Sequence, residues 1–94
     1  MMIDHFEDVW GLCEELHIKE GSKEMRSSSS LIDELNLKLQ LYKAYLGRDL
    51  KDQEQKVKEA LIGELLFTLT ALSLHEDINV FKSLLDTYLQ KNQG

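Results

Sequence analysis

The sequence predicts an all-α protein. Three observations carry the prediction: there is no proline in the 94 residues, the leucines recur three and four positions apart instead of alternating, and glycines and a serine run separate the apolar stretches. At 43% apolar and 30% charged residues the chain has the composition of a globular domain, and its length accommodates one domain, over 1–94, and not two. A chain of this size buries only roughly 60 to 65% of its unfolded surface, so a second subunit is expected to help stabilise it.

The first helix is placed at 4–18. Asp4 is a candidate cap with Glu7 three residues on, and the apolar stripe is Phe6, Val9, Trp10, Cys13 and Leu16. Trp10 reads as a core or interface residue and Cys13 as a small buried one. The segment 19–30 carries Gly21, several charges and Ser27 to Ser30; it lacks a burial period, favours side-chain-to-backbone bonds, and reads as a loop ending in a serine cap. The second helix, 31–46, has one stripe in Leu31, Leu35, Leu39, Tyr42 and Leu46 and another in Leu37, Leu41 and Ala44. Asp33, Asn36, Gln40 and Lys43 share a solvent face, while Glu34 and Lys38 fall between the leucine stripes and point inward.

Gly47 to Lys51 reads as a turn, with Asp52 capping a third helix at 53–75. From Ala60 to Leu74 that helix is apolar nearly all round, which places it in the middle of a bundle. A fourth helix, 79–91, is expected to bury Val80, Phe81, Leu84, Leu85 and Tyr88. The architecture so predicted is a four-helix bundle with helices two and three as a central antiparallel hairpin. More apolar surface than one chain covers points to a homo-oligomer, a dimer in its simplest form.

Charge narrows the partners. Lys+Arg 11 against Asp+Glu 17, a net charge of −6, repels phosphate backbones and anionic bilayers, so neither nucleic acid nor membrane is an expected partner. The stretch 60–74 is interrupted by Gly63, Glu64, Thr68, Thr70 and Ser73 and is too short for a bilayer core of about 30 Å. A single cysteine and an acidic start, with Asp4, Glu7 and Asp8, lack the marks of export and lead to a cytoplasmic expectation. His5, His17 and His75 sit on three separate stretches without metal-ligand spacing, and Gly11, Gly21, Gly47 and Gly63 form no phosphate-binding loop.

Glu64 is the one ionisable residue between Glu59 and His75. A carboxylate inside a core helix must be neutralised, paired or bound to a cation. Glu34 lies about as far before the predicted turn as Glu64 lies after it, so in an antiparallel hairpin the two stand at one height. Two inward carboxylates at one level suit a hard cation such as Mg²⁺. The competing arrangement pairs Glu34 with Lys38 one turn along the same helix, while Glu64 reaches a hydroxyl, a lysine or a subunit boundary. Glu59 is rotated away toward solvent.

The stretch Gly63-Glu64-Leu65-Leu66-Phe67, followed by Leu69, Leu72, Ile78, Leu84 and Lys91-Asn92, resembles the second half of MazG-like all-α nucleoside triphosphate pyrophosphohydrolases. That family carries an EExxE motif on one helix and an ExxD motif on the next, the latter running into Gly-Asp-hydrophobic-hydrophobic-Phe. The resemblance covers roughly residues 31–92. It implies a MazG-like bundle in which Asp33 and Glu34 match the first two acids of EExxE and Glu64 the Asp of ExxD, together holding Mg²⁺. The implied activity is Mg²⁺-dependent cleavage of a nucleoside triphosphate to a monophosphate and diphosphate. Leu37 and Leu61 stand where the family has further acids, which implies weakened or lost catalysis, because the anionic reacting groups need that metal charge. The alternative is a non-catalytic oligomeric binding or regulatory protein on the same fold, its inward acids merely paired.

Overall fold

The computed structural model describes residues 6–46 and 52–93. Among them there is no strand, and five helices follow one another: α1 (Phe6–Lys19), α2 (Ser22–Met25), α3 (Ser28–Lys43), α4 (Asp52–Glu76) and α5 (Val80–Asn92). The all-helical class is therefore observed, with four long helices and one single-turn helix inside the segment expected to be a loop. Capping by Asp4, the position of His5 and the turn at 47–51 lie outside the described residues, and α4 begins at Asp52 itself.

Local chemistry accounts for the boundaries. Gly21 has φ 72°, a conformation glycine adopts without steric cost. It lets the chain leave α1 and start α2 at once, with Glu24 and Met25 donating N–H bonds to its carbonyl. The serine run supplies the expected cap: Ser27 Oγ accepts the Ser30 N–H at 3.1 Å and Ser30 Oγ accepts the Ser27 N–H at 3.2 Å, a reciprocal box that satisfies two orphan donors. This cap starts α3 at Ser28, three residues earlier than the leucine stripe marks. Asn79 caps α5 by accepting the Lys82 N–H at 3.0 Å.

The end of α4 is equally well defined. Asp77 takes φ 56°, the Ile78 N–H reaches the Ser73 carbonyl at 3.0 Å and the Asp77 N–H the Leu74 carbonyl at 3.4 Å. This is the left-handed two-bond terminator of a helix, with aspartate as one of the few side chains that tolerate it.

α3 and α4 form the principal packed pair. Their partners run in opposite order along the chain: Ser28 with Glu76, Glu34 with Thr68, Lys38 with Glu64, and the Lys58 ammonium 5.4 Å from the Tyr42 ring centroid. The hairpin is antiparallel. α1 lies against α4 through His17, whose ring sits 4.2 Å from that of Phe67. It meets α5 through a three-ring cluster, Phe6, Trp10 and Phe81, with centroids 5.8 to 6.0 Å apart, the tilted and edge-on contacts that ring quadrupoles favour.

Burial corrects several sequence expectations. The buried apolar residues are Trp10, Leu31 and Ala71, joined by His17, Thr68, Thr70 and Ser73. Leu16 is exposed, and His17 takes its place inside, because His17 continues the Trp10 and Cys13 line at spacings of three and four while Leu16 falls about 100° to one side. Of the two stripes predicted for the second helix, Leu31 is enclosed whereas Leu37, Leu39 and Leu41 are exposed, as is Leu46 in the turn past the end of α3 at Lys43. α4 packs on α3, α1 and α2 but is left uncovered along one side, with Ile62, Leu66 and Leu69 exposed, and α5 buries no residue, leaving Leu84, Leu85 and Tyr88 exposed. Apolar periodicity marks which residues seek burial, but one chain supplies too few helices to cover them all. No helix among the described residues is long and apolar enough to cross a membrane.

Candidate functional site: the carboxylates around Lys38

Glu34 and Lys38 are one turn apart on α3, so both side chains lie on the face turned toward α4. The antiparallel register brings Glu64 and Thr68, themselves one turn apart on α4, to the same level. The Lys38 ammonium donates to Glu34 Oε2 at 2.8 Å, to Glu64 Oε1 at 3.0 Å and to Thr68 Oγ1 at 2.8 Å. An ammonium has three N–H donors, and all three are used. Thr68 Oγ1 in turn donates to Glu34 Oε2 at 2.8 Å, and the Arg26 guanidinium pairs with Glu34 Oε1. Both oxygens of Glu34 are thereby engaged.

The two carboxylates thus converge as their spacing predicts, but their surroundings differ. The Glu34 side chain is 30% exposed and that of Lys38 16%, whereas Glu64 is 59% exposed. Glu64 is therefore not the enclosed charge its apolar helix suggests: it stands at the edge of the α3-facing side of α4, anchored at its tip to Lys38. Asp33 points to solvent, next in sequence to Glu34 but on the polar face, and Glu59 is exposed as well. Arg26 is the participant that sequence reasoning missed. It precedes the Ser27 cap, and only the turn through α2 carries it back over the first turns of α3.

Electrostatics follow the geometry. The Glu34 carboxyl is lowered from 4.5 to about 2. The bond from Lys38 is the largest cause; partial burial opposes it, and Thr68 and Arg26 add to the lowering. For Lys38, burial of the ammonium works against the charge, but the bonds to Glu34 and Glu64 outweigh it and the net shift is upward from 10.5. Because Glu34 ionises more readily folded than unfolded, its contribution to stability is complete above pH 4.5 and declines as the pH falls toward 2. We expect the urea midpoint to drop across that window, and the Glu34→Gln variant to show a flatter acid limb; equal slopes would contradict the role of this carboxylate. Lys38 has the opposite sign: its contribution is present below pH 10.5 and is lost as the pH rises through its higher folded value.

The arrangement suits an ammonium better than a metal ion. Two carboxylates face two cationic side chains, so little net negative charge remains, whereas Mg²⁺ is held by carboxylates and water in octahedral geometry at about 2.0 to 2.1 Å. No group of three or more His, Cys, Asp or Glu side chains able to hold a metal occurs among the described residues. Leu37 and Leu61, at the positions of the two further acids that the resemblance implies, add no ligand. A cavity of about 470 Å³ lies elsewhere, where α1 meets the α4–α5 junction, with Glu7, Trp10, Glu14, Asp77 and Phe81 in its wall.

His17 is a second residue that sequence reasoning undervalued. It is buried, and its Nε2 lies 2.8 Å from the Phe67 carbonyl. A carbonyl only accepts, so Nε2 carries the proton in this bond. The histidine is a structural strut between α1 and α4, its ring tilted at 37° against that of the residue whose carbonyl it binds. Its spacing from Trp10 and Cys13 was the available signal.

No family model, curated protein or solved structure matches this chain.

Proposed function

We propose that this chain is a non-catalytic, self-associating helical binding or regulatory module, with the Glu34, Lys38, Glu64 and Thr68 cluster as a lock between α3 and α4. The observation that carries the reading is the Lys38 ammonium, which spends all three of its donors on the oxygens that a metal would need. A closed set of this kind fixes the register of two helices, and the ammonium takes the place between the two carboxylates.

A second reading is the one implied by the MazG-like resemblance: a nucleoside triphosphate pyrophosphohydrolase in which Glu34, Glu64 and Asp33 hold Mg²⁺. It is favoured by one observation, the meeting of Glu34 and Glu64 around a single cation. One assay separates the two. The protein is incubated with a panel of nucleoside triphosphates and Mg²⁺, and diphosphate release and melting temperature are followed. The lock predicts no release and no Mg²⁺-dependent shift, with Glu64→Gln melting within about 4 °C of the parent, since so exposed a pair is expected to contribute below about 0.5 kcal/mol. Mg²⁺-dependent diphosphate release that Glu64→Gln abolishes would replace the first reading with the second.

A further inference from the structure

We infer that the groove between α1 and α4 is the seat of a second copy of this chain. This rests on the self-association in the reading above and not on its account of Lys38, so the mass measurement below and the diphosphate assay can fail independently.

Surface area argues first. The chain exposes 7417 Å², whereas a compact monomer of 10.9 kDa exposes about 5,600 Å². The radius of gyration is 15.5 Å against about 12 Å for a compact domain of this length. The excess, roughly 1,800 Å², is more than twice the roughly 800 Å² per partner of a standard stable interface. Covering it with a second copy returns the chain to the surface expected of its mass.

The shape and chemistry of the groove argue next. It encloses about 200 Å³ and is lined by Phe6, Val9, Cys13, Gly63, Leu66 and Phe67, among others. No charged side chain lines it, which matters for two copies that each carry −6 and repel elsewhere. Leu66 on its wall continues into Ile62 and Leu69, an exposed stripe along the uncovered side of α4.

Gly63 supplies the third argument. Glycine inside a helix costs stability, and among the described residues nothing crowds Gly63, as nothing crowds Gly11: a Cβ there would meet no atom within 4 Å, but Gly63 alone of the two lines the groove. Close approach of another backbone is one of the standard uses of glycine, and a neighbouring copy would supply that approach.

Light scattering on the full chain at micromolar concentration tests the proposal. The parent is expected at twice 10.9 kDa or more. Gly63→Leu has room for its Cβ and directs the rest of the side chain into the groove, so it is expected to stay helical by circular dichroism while associating about tenfold or more weakly. Should that variant lose its helical signal, Val9→Lys on the opposite wall gives the same readout. Leu37→Glu, on an exposed position of α3, is expected to associate like the parent. A monomeric parent would overturn the proposal. So would groove variants that associate with parental affinity, or a dimer split by Leu37→Glu alone.

Discussion

Truncating Leu31 to alanine is expected to lower the unfolding free energy by about 3 to 4 kcal/mol. Leu31 is 0% exposed and sits in the first turns of α3, where the serine cap, the turn from α2 and the face of α4 converge. Few apolar residues are enclosed beside it, so little neighbouring mass is available to collapse into the space left behind, and the cavity term adds to the lost transfer energy. In a domain whose total stability is of the order of 5 to 15 kcal/mol, that is a large share. Urea unfolding at one fixed protein concentration checks it, because a self-associating chain gains apparent stability with concentration. A loss below about 1 kcal/mol would mean that the apparent keystone of the α3–α4 hairpin is dispensable.

Replacing Lys38 with methionine is expected to cost about 2 kcal/mol, nearly all of it through Glu34. Methionine keeps the aliphatic stem and removes the charge. Glu34 is then left half-buried with Arg26 and Thr68, whereas Glu64, which already stands 59% exposed, turns to water. Two double-mutant cycles separate the terms. Coupling of Lys38 to Glu34 is expected at about 1 to 2 kcal/mol, and coupling to Glu64 below about 0.5 kcal/mol. Equal couplings would show that both carboxylates depend on the ammonium alike, and the picture of one partly enclosed pair with an exposed third member would fail.

The hairpin and its acid pair were legible because they depend on local arithmetic. Glu34 and Lys38 are one turn apart, and Glu64 and Thr68 are one turn apart at a matching distance from the connection, so antiparallel packing brings them level. The solvent face of Asp33, Asn36, Gln40 and Lys43 follows from the same wheel. Arg26 was not legible, since it reaches Glu34 only by way of α2, a single turn whose existence rests on Gly21 and whose sequence carries no apolar period. The exposure of Glu64 was misread for a related reason. An apolar run predicts enclosure for every residue within it, whereas Glu64 sits at the edge of the α3–α4 contact, where its side chain reaches past Lys38 into solvent.

Periodicity, caps and turn residues, all written along the chain, settle that this protein is helical, roughly where its helices lie, and which side chains on each share a face. They act between residues a few positions apart, so the order of amino acids alone carries them. Whether two acids meet a metal, a lysine or water is a matter of contacts between segments far apart in the chain, resolved within an ångström by packing and rotamer choice. Lys38 enters between Glu34 and Glu64, His17 displaces Leu16 from the interior, and α5 leaves its apolar stripe uncovered. The place of Lys38 depends on side-chain geometry across α3 and α4, and the bare stripe of α5 on how many helices are present to pack against, which no local pattern encodes.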